Sequence, residues 1–162
     1  MREVETVVTF AVAKSLFAVE VGLVQEILSA QEPTRLPNAP QHLLGLIDVR
    51  GASVALADLR RLLGEPPKPA DDDTRILILA LEGNGRIHRV ALQVDRVIEV
   101  TGLDDGGRID PVDEAEMLDW DPRVLHGIGR REGRIVALLD MRAIFDAELM
   151  ALARARPVAA DA

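Results

Sequence analysis

The chain has no cysteine and no tyrosine, and only three phenylalanines and one tryptophan among its 162 residues. Without cysteine there is no disulfide and no thiolate metal site, and a reducing compartment is the fitting one. With so few aromatics the core must be built from Val, Leu, Ile and Ala, and the stacking surfaces that hold single-stranded nucleic acid are missing. A net charge of −8 also removes the basic surplus needed to neutralise phosphates, so nucleic acid is not an expected partner. No apolar run approaches the roughly 18 residues of a membrane span. The opening Met1-Arg2-Glu3-Val4-Glu5 carries acids where a secretory leader carries bases. The expectation is a cytoplasmic chain with no direct membrane insertion.

Catalytic constellations are equally scarce. Ser15, Ser29 and Ser53 lack a nucleophile-elbow context, and Gly83-Asn84-Gly85 lies between two strands rather than ahead of a helix, so it is no phosphate loop. His42, His88 and His126 show no ligand spacing. Between Asp104 and Asp121 eight acids face Arg108 alone, but the alternating Asp-x-Asp-x-Asp-Gly pattern of a calcium loop is missing, which leaves a solvated connector. No catalytic residue, cofactor or metal is expected.

What is present is a repeat. Residues 44–64 recur without a gap 82 positions later: Gly45 falls on Gly127, Gly51 on Gly133, Val54-Ala55-Leu56 on Val136-Ala137-Leu138, Asp58 on Asp140 and Arg60 on Arg142. Each copy reads as strand, turn, strand and short helix. Gly51 and Gly133 supply the positive φ of a tight hairpin, Asp58 and Asp140 stand at helix N-caps, and Gly64 is a helix stop. Two hairpins open the halves, Thr6–Ala13 with Leu16–Val21 and Ile76–Leu81 with Ile87–Val94, the second turning at Asn84-Gly85. Val24-Gln25-Glu26-Ile27 in the first half is echoed by Val97-Ile98-Glu99-Val100 in the second.

The joining segments are irregular. Pro33, Pro37 and Pro40 break up residues 31–40, and Pro40 is read as opening a helical turn through Leu44. Glu65–Asp73 has the composition of a boundary. Asp113–Leu118 reads as one helical turn near Trp120, and from Asp140 to Arg156 a final helix is expected to bury Met141, Ile144, Phe145, Leu149 and Leu152.

Where the copies differ, function is the better reading. Arg50 at the first hairpin tip is replaced by Glu132 at the second, so the turn does not require a charge of either sign. Arg50 is read either as a solvated turn residue or as an anchor for a partner protein.

With the duplicated hairpins, Val24-Gln25-Glu26-Ile27, Pro37-Asn38-Ala39-Pro40 and Leu44-Gly45-Leu46-Ile47-Asp48-Val49-Arg50-Gly51 in hand, the sequence resembles the CheW family of chemotaxis coupling proteins from about Val7 to Phe145. The resemblance implies an all-β fold of two intertwined five-stranded SH3-like barrels with short helices, without enzymatic activity. It implies a CheW-like domain over residues 1–146, with subdomains at about 16–64 and 76–146 that exchange strands, and a helical extension over residues 147–162. The implied partners are chemoreceptor cytoplasmic tips and the histidine kinase CheA, through that kinase's CheW-like regulatory domain, at membrane receptor arrays. The implied partner-binding residues are Val24, Gln25, Glu26, Ile27, Asp48, Val49, Arg50 and Gly51. Asp48 departs from the asparagine usual there, and an acid two residues from Arg50 is read as a group that holds it or alters which receptor it accepts. A related scaffold outside flagellar chemotaxis and a small-molecule-binding barrel are the other readings open. No receiver-domain sequence follows, so the two-domain relative fused to a phosphoacceptor is not expected.

Overall fold

A computed structural model describes residues 2–83, 85–111 and 125–145. The Asp113–Leu118 turn, Trp120, and Leu149 and Leu152 of the final stripe lie outside them. After the two-residue strand β1 (Arg2–Glu3) come the hairpin β2 (Val7–Val12) and β3 (Ser15–Glu20), then β4 (Val24–Ser29), β5 (Leu43–Val49), β6 (Ala52–Asp58) and helix α1 (Leu59–Leu62). The second half repeats this order: β7 (Arg75–Gly83) and β8 (Arg86–Val94), then β9 (Arg96–Thr101), the short β10 (Arg108–Ile109), β11 (Leu125–Arg131), β12 (Arg134–Leu139) and a helix from residue 141.

Each half gives its opening hairpin to the other. One five-stranded sheet has the order β11-β12-β3-β2-β9 and the other β4-β7-β8-β6-β5. The exchanged hairpins join through the two parallel pairings between β3 and β12 and between β6 and β8. In the first, Leu138 lies opposite Ala18, and in the second Leu56 lies opposite Ala91. Both leucines are fully buried, as equivalent positions in a repeat should be.

Alternation of side chains explains the three apolar clusters, because both faces of the central strands are covered. Between the barrels pack Phe10, Phe17, Leu77, Leu79, Leu92 and Leu139, joined by Met141, Ile144 and Phe145 of the final helix. Inside the β4–β8 barrel lie Ile47, Val49, Val54, Leu56, Ile76, Ile78 and Ala91, so its interior is packed core and not a lumen. Leu138, Val136, Leu103 and Ile109 fill the other barrel. Arg60 of α1 pairs with Asp95, which also accepts the Ala13 N–H at 2.8 Å, tying the β4–β8 barrel to the β2–β3 turn.

The shared glycines Gly45 and Gly127 are close-approach positions. A Cβ on Gly45 would stand 2.1 Å from the Thr34 carbonyl oxygen, and one on Gly127 2.5 Å from that of Asp110. At each place the connector pairs with the outer strand, Thr34 with Leu46 and Asp110 with Ile128, which helps close the barrel. The expected helical turn through Leu44 is shorter than read. Leu43 N–H closes a single turn onto the Pro40 carbonyl at 3.0 Å, and β5 starts at Leu43 because that side chain is buried opposite Ala57.

Candidate docking surface

The segments read as partner-binding come together at one end of the β4–β8 barrel. β4 and β5 are the first and last strands of their sheet, and the tip of the β5–β6 hairpin reaches back over β4. Arg50 Nη2 donates to Glu26 Oε1 at 2.9 Å, so the two segments form one surface. β4 alternates half-buried with exposed residues, which places Gln25 and Ile27 outward while Glu26 and Leu28 turn toward the barrel. Ile27 keeps 40% of its surface exposed.

The hairpin turn has both central residues in the left-handed region, Arg50 at φ 53° and Gly51 at φ 84°, as a two-residue type I′ turn requires. A non-glycine residue in that region is strained, and Asp48 helps hold it: Asp48 Oδ1 accepts the Gly51 N–H at 2.8 Å. Asp48 therefore braces the turn rather than the Arg50 side chain, which Glu26 holds instead. Val49 is buried and anchors the tip from below, whereas the Arg50 side chain remains 78% exposed. Of the eight residues, Gln25, Ile27, Asp48, Arg50 and Gly51 are exposed, Val24 and Glu26 are half-buried, and Val49 is core.

The other barrel repeats this closure with a shift of one residue. Glu99 on β9, the counterpart of Glu26, accepts from Arg131 Nη2 at 3.1 Å. Arg131 aligns with Val49, not with Arg50. That pair escapes a residue-for-residue repeat comparison; the only trace of it in the sequence is the Arg130-Arg131 doublet beside Glu132. The second tip is braced from outside its hairpin, because Asp104 Oδ1 and Oδ2 accept the N–H groups of Glu132 and Gly133 at 3.0 and 2.9 Å. The Gly133 and then the Glu132 bond favour the charged carboxylate and hold Asp104 below the usual Asp range.

Elsewhere among the described residues the buried charged side chain is Asp58, an N-cap. Asp58 is pushed up by burial, opposed by the Arg60 N–H it accepts at 3.1 Å and by the Arg61 charge. His126 Nδ1 stands 3.7 Å from the Asp140 carboxylate, and His88 lies against the Gly83 carbonyl at 3.2 Å. Among the described residues no group of three or more His, Asp and Glu side chains converges to hold a metal, and no helix is long and apolar enough to cross a membrane.

Comparison with known proteins agrees with the fold. The family model for the CheW-like domain matches residues 6–149. The chain is 30% identical over 144 residues to the chemotaxis protein CheW of Bacillus subtilis, covering 89% of this chain and 88% of that one. It is 29% identical over 141 residues to the CheW of Rhizobium meliloti, covering 87% of each. The crystal structure of the scaffolding protein TtCheW from Thermoanaerobacter tengcongensis superposes with a TM-score of 0.76 over 90% of each chain at 23% identity, a likeness of fold. Two exchanged five-stranded barrels and a family match over most of the length lead to one conclusion: the chain belongs to the CheW family.

Proposed function

We propose that this chain is a non-enzymatic adaptor of a chemosensory array. It joins the cytoplasmic tips of chemoreceptors, the methyl-accepting chemotaxis proteins, to the histidine kinase CheA by way of that kinase's CheW-like regulatory domain. It works in the cytoplasm and is recruited to receptors in the membrane. The observation that supports this reading best is the Arg50–Glu26 pair, because it fuses two segments distant in sequence into one exposed surface. That surface offers an arginine whose fork can take a carboxylate in a bidentate way, and the same strand β4 carries an exposed apolar residue, Ile27, on its outward face. Val49 supports the tip from inside, and Asp48 and Gly51 set its turn. Coupling of this kind needs no bond to be made or broken in the adaptor, only two surfaces on one rigid body. The packed barrel interior speaks against a small-molecule reading.

The test is reconstitution with a receptor signalling fragment and the kinase. The chain should bind both and change the rate of kinase autophosphorylation without taking up phosphate itself. Phosphate transfer to the chain, or binding to neither partner, would overturn the proposal. Binding to the kinase with no effect of any flagellar receptor would move it to a separate receptor pathway.

A further inference from the structure

A third charged side chain stands beside the Arg50–Glu26 pair at the mouth of the β4–β8 barrel. Arg89 lies on β8 opposite Ala80 of β7. Alternation sets it on the same strand face as Ala91, which belongs to the barrel's apolar interior. The parallel pairing of β8 with β6 begins only at Val90, so Arg89 stands just past the filled layers. There it lines an open recess with Gln25, Glu26 and Arg50. Its Nε is buried and has no hydrogen-bond partner, and no ion pair of its guanidinium is found among the described residues.

The recess thus holds two guanidinium groups and one carboxylate, and that carboxylate is already taken by Arg50 at 2.9 Å. A surplus of positive charge is not a by-product of composition in a chain of net charge −8. A guanidinium drawn partly out of water without a partner works against stability, and such groups persist in folds where binding uses them. We propose that Arg89 receives a carboxylate of the docked protein: an Asp or Glu side chain of the partner enters the recess and accepts the Arg89 fork, while Arg50 and Glu26 form its rim. The proposal rests on the docking reading given above and names the chemistry of the group that docks.

The experiment measures binding of the full chain to the receptor signalling fragment and to the kinase regulatory domain at two salt concentrations. Arg89→Gln is compared with Arg96→Gln, a control at an exposed arginine on β9. Arg89→Gln should weaken binding to one of the two partners roughly tenfold and flatten its salt dependence, as loss of a charge-assisted bidentate pair does. Arg89→Lys should restore the salt dependence but only part of the affinity, since an ammonium keeps the charge without the fork. Because Arg89 Nε has no hydrogen-bond partner and its guanidinium no ion pair among the described residues, the melting temperature should not fall. Affinities within twofold of wild type for both partners would overturn the proposal, and so would a clearly lowered melting temperature, which would make Arg89 structural. Failure of the wild-type chain to bind either partner would instead overturn the docking reading, and it is seen before any substitution is made.

Discussion

The tips of the β5–β6 and β11–β12 hairpins share a backbone and differ in nearly everything that decorates it. Both are two-residue turns with positive φ at each central residue, 53° and 84° at Arg50-Gly51 and 52° and 80° at Glu132-Gly133. Both barrels use a glutamate on an outer strand and an arginine from the opposite hairpin to join the first and last strands of the sheet. In one barrel the arginine is the tip residue itself and its side chain is 78% exposed; in the other it sits one residue earlier and is 32% exposed. The brace differs too: Asp48 comes from the hairpin, whereas Asp104 comes from outside it, at the start of the short helical turn Asp104–Gly107 after β9. The fold therefore demands the closure but not that the closing arginine project into solvent, as Arg50 does and Arg131 does not. It is this difference that supports the proposed docking at the Arg50 end of the molecule.

The largest effect expected lies where the two barrels are alike. Leu56 and Leu138 fill separate interiors, each facing an alanine across a parallel pairing. Leu56→Ala and Leu138→Ala should each lower the unfolding free energy by about 2–5 kcal/mol in denaturant titrations. Their effects should add in the double variant, because the clusters do not share members. If either substitution cost less than about 1 kcal/mol, the two leucines would not be equivalent core positions, and the comparison of the barrels would lose its basis.

Much of this plan could be read from the chain itself. The 82-residue repeat carries the hairpin glycines, the caps at Asp58 and Asp140 and the buried Leu56 and Leu138, because those are demands of local geometry and packing that two copies must both meet. Asp58 does accept the Arg60 N–H, and Gly64 does end α1 at φ 80°. The extent of β5 was less legible, since Pro40 favours a helical start while the decisive pull on Leu43 is burial against β6, a tertiary effect. Pairs that join distant strands left the weakest trace. Arg131 with Glu99 is offset by one residue from the repeat, and Arg89 reads as an ordinary charged residue in a strand until the barrel mouth is assembled around it.

The next effect tests the difference between the tips. Arg50→Glu places two carboxylates where an ion pair stood, but the site is mostly exposed, so stability should fall by no more than about 1 kcal/mol. Binding to the partner should fall by about 2 kcal/mol or more, roughly thirtyfold, since repulsion is added to the lost bidentate bond. The double change Glu26→Arg with Arg50→Glu restores the closure with its charges exchanged. It should recover stability and leave binding impaired, which separates closing the barrel from presenting a guanidinium. Arg131→Gln is the counterpart in the other barrel and should leave affinity at this surface near wild type. Equal affinities for wild type and Arg50→Glu toward both the receptor fragment and the kinase domain would reduce Arg50 to a closure residue like Arg131.

The smallest effect concerns the brace of the second tip. Asp104 is held below the usual Asp range by the Gly133 and Glu132 N–H groups, so folding favours its charged form. For a carboxyl with a lowered pKa in the folded state, the stabilisation is fully present above the unfolded value of about 3.9 and is lost as pH falls through the lowered folded value. The Gly133 and Glu132 amide resonances should therefore titrate with a midpoint below that of an ordinary exposed aspartate, and their exchange with solvent should quicken over that same acid range. In Asp104→Asn the acid-range step at these two amides should disappear, because the amide oxygen accepts a bond without a charge that titrates. The Gly51 amide, braced by Asp48, should be indifferent to that substitution. A Gly133 step in the ordinary Asp range, or one that survives Asp104→Asn, would show that the second tip is not held by Asp104.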